Sequence, residues 1–278
     1  MSLFISSLNS GSNGNCYYIG NENEAVLVDA GISCRETEIR IKRLGLGMEK
    51  VKAIFISHEH ADHIRGLVVL AKKYHLPVYI TEATQKQGRL RIEKHLIQRF
   101  RPDDPILIGG LSVTAFSKMH DAGDPHSFTI ASSTVKVGIF TDIGTTCKNL
   151  IHHFRQCHAA FLEANYDVEM LMNGDYPYYL KKRISDGRGH LSNKEALELF
   201  IKHKPLFMSH LILSHLSKNN NTPELVNKLF TIHADNTEII IASRDEETAL
   251  FHIHAERKPG KQIKKRNTVS KQSQLSLF

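Results

Sequence analysis

FISHEHADHIRG, residues 55–66, follows a run, VKAIFIS, that reads as a buried strand, and sets three histidines and an aspartate within six positions. In extended backbone, side chains at i and i+2 point to one side. His58 and His60 therefore converge on one ion, while Glu59 turns away. Asp62 and His63 come at the junction of loop and helix, where the change of direction presents them to a second ion nearby. Imidazole with carboxylate suits zinc, and also manganese or iron. Scattered surface histidines are the alternative in a chain with 17 of them. The dense H-x-H-x-D-H spacing at the C-terminal end of a strand favours the metal site.

Around this stretch, residues 1–255 alternate short β-rich runs with amphipathic ones. Strands are expected at SLFISSL, NCYYIG, EAVLVDAG, KAIFIS, LPVYIT, LSVTAFS, HSFTIAS, VKVGIFTD, AAFLEA, LFMSHLILSH, TEIIIAS and ALFHI. Helices are expected at SCRETEIRIKRL, stopped by Gly45, and at IRGLVVLAKKY, stopped before Pro77. Two more are expected at SNKEALELFIKH, where Ser192 and Glu195 spell a capping box, and at TPELVNKLFTIHA, with Thr222 as N-cap and Pro223 first in the helix. Two β-rich halves, each flanked by helices, predict a layered α/β body with sheet packed on sheet.

The 41 % hydrophobic and 23 % charged fractions are ordinary for a soluble globular protein. No apolar run approaches the length of a membrane span, and MSLFISSLNSGSNG lacks the basic and apolar regions of a signal peptide. Cys16, Cys34, Cys147 and Cys157 form no C-x-x-C pair, so reduced thiols in a cytoplasmic protein are expected. The net charge of +7 is concentrated: seven of the 36 Lys/Arg and one of the 29 Asp/Glu lie from Glu256 onward. That segment, 256–278, has a Pro-Gly break and no periodicity, and is expected to be a disordered basic tail. It is either a solubilising tail or an arm facing nucleic acid.

The H-x-H-x-D-H segment resembles the signature of the metallo-β-lactamase-fold hydrolases, and further motifs follow that family in order: VLVDAG, KMHDAG, IFTDIG and LILSHLSKNNN. The resemblance implies a four-layer αββα sandwich with its site at one edge. It implies two divalent metal ions, one held by His58, His60, His120 and Asp142, the other by Asp62, His63, Asp142 and His215. Asp29 would stand behind the histidine ligands as the acceptor that orients them. FLEANYD and GRGHLSNKEALELF resemble the paired motifs of ribonuclease Z, which assign Glu163 and His190 to phosphodiester cleavage. Asp62, Glu163 and His190 are thus the catalytic candidates. The run NYDVEMLMNGDYPYYLKKRISDGRGHLSN with SHLSKNNN resembles the bacterial YycJ/WalJ-type nucleases, associated with cleavage of DNA. Tyr166 stands where that subfamily usually has a histidine and is not assigned as a ligand; His126 is left without a role.

The chemistry implied is two-metal phosphodiester hydrolysis, with His190, oriented by Glu163, protonating the departing 3′-oxygen. Lys181, Lys182, Arg183 and Arg188 are candidates to grip flanking phosphates, with a solvated helix face as the alternative. The rivals are an RNA-processing nuclease, a small-molecule ester, thioester or lactone hydrolase with the same metals, and a non-catalytic scaffold. The pentapeptide QLSLF, Gln274–Phe278, resembles the bacterial sliding-clamp-binding motif, with Leu275, Leu277 and Phe278 as its apolar anchors. A clamp partner favours DNA over RNA, and the tail would tether the enzyme near it.

Overall fold

Near-continuous apolar runs make strands that bury both faces, and the computed structural model shows where those faces go. It describes residues 2–255; the basic segment 256–278, with Gln274, Leu275, Leu277 and Phe278, lies outside the described residues. In chain order, β1 (Leu3–Asn9), β2 (Cys16–Gly20), β3 (Ala25–Val28), β4 (Val51–Phe55), β5 (Val78–Tyr79) and β6 (Ile97–Gln98) build one sheet. The second holds β7 (Pro105–Ile108), β8 (Leu111–Ser117), β9 (His126–Ala131), β10 (Lys136–Phe140), β11 (Ala159–Glu163), β12 (His210–Ser214) and β13 (Glu238–Ile241). The last strand, β14 (Phe251–Ile253), returns to pair with β1. Strands β3 to β6 run parallel, as do β10 to β13; the other pairings are antiparallel.

One face of each sheet meets the other sheet. Ala53 and Phe55 of β4, Val26 and Val28 of β3, Phe128 and Ile130 of β9, and Phe161 of β11 fill the space between. Phe55 stands edge-on to Phe128, with ring centroids 5.7 Å apart. Truncating Phe128 to Ala would cost about 3–5 kcal/mol through lost burial and the cavity left behind. The outer faces are covered by helices. Leu27, Ile54 and Ile56 pack under α1 (Cys34–Arg43) and, beyond the short α2 (Ala61–Ile64), under α3 (Leu67–Tyr74). The short α4 (Glu82–Gln87) follows. On the other side, Leu162, Leu211 and Leu213 pack under α5 (Lys148–Phe154) and, after α6 (Val168–Asn173) and α7 (Tyr178–Ser185), under α8 (Asn193–His203) and α9 (Pro223–Thr231). The result is the αββα sandwich.

The expected capping box at Ser192 and Glu195 forms, and Thr222 caps α9 with Pro223 inside its first turn. The helix expected over 64–74 is broken: Gly66 donates its N–H to the Ala30 carbonyl, so α2 ends before it and α3 starts after it. No helix among the described residues is long and apolar enough to cross a membrane.

Candidate metal centre

The parallel strands β3, β4 and β10 to β12 end at one edge of the sandwich, and their first loop residues supply the site. Asp29 after β3, Asp142 after β10 and His215 after β12 all have positive φ, at 61°, 54° and 57°. Residues with a Cβ seldom occupy this region, and each instance costs on the order of 1–3 kcal/mol. Hydrogen bonds offset the cost. Asp29 N–H donates to the Phe55 carbonyl at 2.8 Å, and His215 N–H donates to Ser10 Oγ at 2.8 Å. The sharp turns aim the three side chains into one space. Gly31, in the Asp-Ala-Gly that follows β3, lets the Asp62 loop close in, because a Cβ there would collide with the Asp62 carbonyl.

The inward-facing atoms are set by what holds the outward ones. His63 donates Nδ1–H to Asp29 Oδ2 at 2.7 Å, leaving Nε2 inward. Ser57 Oγ donates to the same carboxylate oxygen at 2.9 Å and accepts from His58 Nδ1 at 2.9 Å, so Asp29 orients both imidazoles, one directly and one by relay. His120 Nδ1 donates to the Gly189 carbonyl at 2.9 Å. His215 Nδ1 faces Glu163 Oε1 at 3.1 Å. His58 Nε2 and His60 Nδ1 then lie 3.0 Å apart, with His120 Nε2 3.4 Å from His60 Nδ1. Asp62 Oδ2 lies 3.4 Å from His215 Nε2 and 3.5 Å from His63 Nε2. Between the two groups stands Asp142, with Oδ2 3.1 Å from His63 Nε2 and Oδ1 3.7 Å from His215 Nε2 and 3.8 Å from His120 Nε2.

These residues fit divalent cations. His58 and His120, with their outer Nδ1–H groups engaged, both aim an Nε2 lone pair at His60 Nδ1, which can offer a proton to one of them at most, so a shared cation suits the three better. Among the described residues, buried Asp142 Oδ2 has His63 Nε2 beside it at 3.1 Å but no well-aligned hydrogen-bond donor. Among the described residues four donor groups result: His58/His60/His120, His58/His63/Asp142, Asp62/His63/His215, and Asp142/Glu163/His190/His215, in which Glu163 and His190 adjoin the ligands assigned by the resemblance. Imidazole and carboxylate donors with engaged outer shells are the chemistry of a divalent metal centre.

Electrostatics divides the centre into two sides. Burial pushes His58 well below the ordinary histidine range and His120 down to about 4, with Lys118 adding to both. For His63 burial works downward too, yet Asp142, Asp29 and Asp62 overcome it and lift the imidazole to about 10. His215 is likewise raised against its burial, by Asp142, Asp62 and Glu163. Asp62 is held at about 2: burial opposes this, and the charges of His63 and His215 outweigh it.

Glu163, fully buried at the end of β11, ties the centre to its neighbour. Its Oε2 accepts from Ile143 N at 2.7 Å and Leu191 N at 3.2 Å, and Oε1 lies 2.8 Å from His190 Nδ1. Because Oε1 also faces His215, one carboxylate positions both imidazoles. No hydrogen bond among the described residues occupies His190 Nε2, and the ring lines a cavity of about 240 Å³ with His60, Asp62, Asp142 and His215. Of the four basic candidates, Arg183 alone lines this cavity, with Nε paired to Asp121 Oδ2 at 2.6 Å. Lys181 donates to the Met172 carbonyl at 2.7 Å, and Lys182 and Arg188 are exposed outside the lining.

Tyr166 is buried and bridges to Ser192, away from the cavity lining. His126 donates its backbone N–H to the Ser57 carbonyl and so braces the loop that carries the relay. Ser57, Asn15, Asn165 and Lys118 escaped the sequence reading. Asn15 Nδ2 donates to Asp62 Oδ2 at 3.1 Å, Asn165 Nδ2 to the His215 carbonyl at 2.7 Å, and buried Lys118 Nζ to the Thr141 carbonyl at 2.7 Å. Only position was available for Ser57, next to His58; the other three act across long sequence separations.

Residues 24–216 match the β-lactamase superfamily domain. The chain belongs to the metallo-β-lactamase superfamily. Within it the chain belongs to the YycJ/WalJ family. It is 36 % identical over 230 residues to exodeoxyribonuclease YycJ of Bacillus anthracis, covering 81 % of this chain and 86 % of that one. It is 32 % identical over 226 residues to exodeoxyribonuclease WalJ of Streptococcus pneumoniae D39, covering 78 % and 83 %. Among solved structures, the metallo-β-lactamase-fold protein YhfI of Bacillus subtilis superposes with a TM-score of 0.70 at 18 % identity, over 91 % of this chain and all of that one. The short form of human tRNase Z gives 0.61 at 14 % identity, over 88 % and 98 %. These two likenesses are of fold.

Proposed function

We propose that the chain is a two-metal exonuclease that hydrolyses phosphodiesters of DNA, with residues 1–255 as its catalytic domain. The observation that carries the reading is the Glu163–His190 pair, 2.8 Å apart, at the rim of a centre whose donors surround Asp142. Two relatives bearing the name exodeoxyribonuclease, matched over most of their length, support it. His58, His60, His120 and Asp142 would hold one ion, and Asp62, His63, Asp142 and His215 the other, zinc being the best match to this donor set. When bound, such a pair of ions lowers the pKa of water and draws charge from phosphate oxygens.

The remaining work falls to the protein. Glu163, held at about 2 by His190 and His215 against the upward push of burial, stays ionised at neutral pH. It accepts Nδ1–H of His190 and stabilises the imidazolium, which gives its Nε2 proton to the oxygen leaving phosphorus. Arg183, at the cavity wall, meets the flanking backbone. The basic segment 256–278 would act as a tether, with Gln274, Leu275, Leu277 and Phe278 docking on a sliding clamp. That partner, like the free thiols of Cys16, Cys34, Cys147 and Cys157, fits a cytoplasmic enzyme of replication or repair.

The test is cleavage of end-labelled DNA and RNA with zinc or manganese, and with EDTA as control. Metal-dependent release of nucleotides from DNA ends is expected; preferential cleavage of RNA would shift the reading to RNA processing. His190→Ala should retain metal and lower kcat at least ~100-fold on DNA, the usual scale for a lost general acid. The loss should shrink on a diester with a p-nitrophenolate leaving group, and an equal loss on both would remove the proton-donor role.

A further inference from the structure

A second cavity, of about 490 Å³, adjoins the one over the metal donors, and Leu216 and Ser217 form the wall they share. Its lining includes Lys218, Ser243, Arg244 and Asp245. The loop that carries Arg244 is fixed through its backbone. Ser10 N–H donates to the Ser243 carbonyl at 3.0 Å, Asn13 Nδ2 to the Arg244 carbonyl at 2.7 Å, and Arg40 Nη2 to the Asp245 carbonyl at 2.8 Å. The guanidinium itself is left over. Its Nη1 is buried with no hydrogen-bond partner among the described residues, and Nη2 reaches only Ser12 Oγ, at 3.5 Å. The neighbouring arginines differ: Arg40 pairs with Glu36 at 2.6 Å and Arg43 with Glu247 at 2.7 Å.

A buried guanidinium donor without an acceptor is costly, and it persists where an anion completes it. Backbone pinning removes the option of swinging the loop out to water. Gly11, at φ +150°, lets the N-terminal loop pack close against this arginine: a Cβ there would stand 3.3 Å from Arg244 Cβ and 3.3 Å from Asn13 Oδ1. Asp245 also lines the cavity, but Lys218 and Arg244 leave the balance positive. The anion that fits is a phosphate, whose oxygens suit the guanidinium fork.

We propose that this cavity is a phosphate subsite that holds a second backbone phosphate of the strand whose scissile phosphate lies over the metal donors. The proposal rests on the nuclease reading and deepens it. A strand leaving the metal centre over Leu216 and Ser217 meets Arg244 next, with exposed Lys218 at the mouth.

The experiment compares kcat/KM for a single-stranded oligonucleotide with kcat/KM for a dinucleotide that carries one phosphodiester. In Arg244→Ala the ratio between them should fall ~10-fold through KM, and the slope of log(kcat/KM) against log salt for the oligonucleotide should lessen by about one. Arg244→Lys should recover part of the loss, and Lys218→Gln should lower the ratio ~3-fold, the effect of one exposed phosphate contact. Running the oligonucleotide with and without a terminal phosphate identifies the ligand. Equal losses mark an internal diester, and a loss confined to the phosphorylated form marks a terminal monoester. A ratio unchanged in both Arg244→Ala and Lys218→Gln would overturn the subsite. So would parallel losses on both substrates in Arg244→Ala with none in Lys218→Gln. A wild-type enzyme that binds metal but cuts neither substrate would overturn the nuclease reading, and the subsite with it.

Discussion

The two sides of the candidate metal centre meet at Asp142 and differ in the charges around their imidazoles. On one side stand three imidazoles, His58, His60 and His120, and burial drives the first and last of these toward the neutral form. On the other side stand Asp62, His63 and His215, where carboxylates drive both imidazoles toward the charged form. Burial thus favours lone pairs on His58 and His120, and the carboxylates favour protons on His63 and His215. An arriving cation finds lone pairs on the first side and must expel protons on the second.

The largest effect that separates the sides is expected from Asp29→Asn. It removes the carboxylate that orients His63 directly and His58 through Ser57. Affinity for the ion on the His63 side should fall ~10–100-fold, the usual scale for an orienting partner. The ion on the His58 side should weaken less, and equal losses in metal titrations would break the distinction. Ser57→Ala reverses the bias, because among the described residues Ser57 Oγ is the acceptor for His58 Nδ1 at 2.9 Å, while His63 gives up a longer 3.3 Å contact and keeps Asp29 at 2.7 Å. One neutral hydrogen bond is worth roughly 0.5–1.5 kcal/mol, so about a 2- to 12-fold loss on the His58 side is expected. Weaker binding on the His63 side alone would contradict the relay.

Proton counting sharpens the contrast further. With its folded pKa raised to about 10, His63 favours its doubly protonated form at pH 7, and His215 is shifted in the same direction. Filling that side should release more protons than filling the other. Affinity of the His63 side should therefore rise with pH through the neutral range. Calorimetry in buffers of differing ionisation enthalpy reads this directly, and equal release from the two sides would refute it.

The sandwich and most donors were legible because their signals are local. H-x-H-x-D-H lies in one turn of chain, and strands such as LSVTAFS, which matches β8 residue for residue, declare themselves by alternation. Short elements were not. EATQKQ forms α4 with one buried residue, and YYLKKRIS forms α7 with none, so neither carries an apolar period to find. β6 and β7, the outer strands of their sheets, also passed unseen; β7 alternates but exposes Pro105 and Leu107. In the site, the resemblance pointed to Glu163 as a partner of His190 but gave no sign of its hold on His215, 52 residues further on. The positive φ of Asp29, Asp142 and His215 is invisible in residue types that rarely adopt it. The phosphate subsite was hidden for the same reason as Asn15 and Asn165: Arg244 meets Ser12 and Asn13 only after β13 has returned beside the N-terminal loop.

The central claim is that two ions share Asp142, and the metal content of two variants tests it most directly. Elemental analysis of purified Asp142→Asn, unfolding excluded by its circular dichroism, should show both ions lost or strongly depleted. His58→Ala should lose mainly one. Two full equivalents of metal in Asp142→Asn would contradict the account, because no carboxylate shared by the two sides would then be holding them.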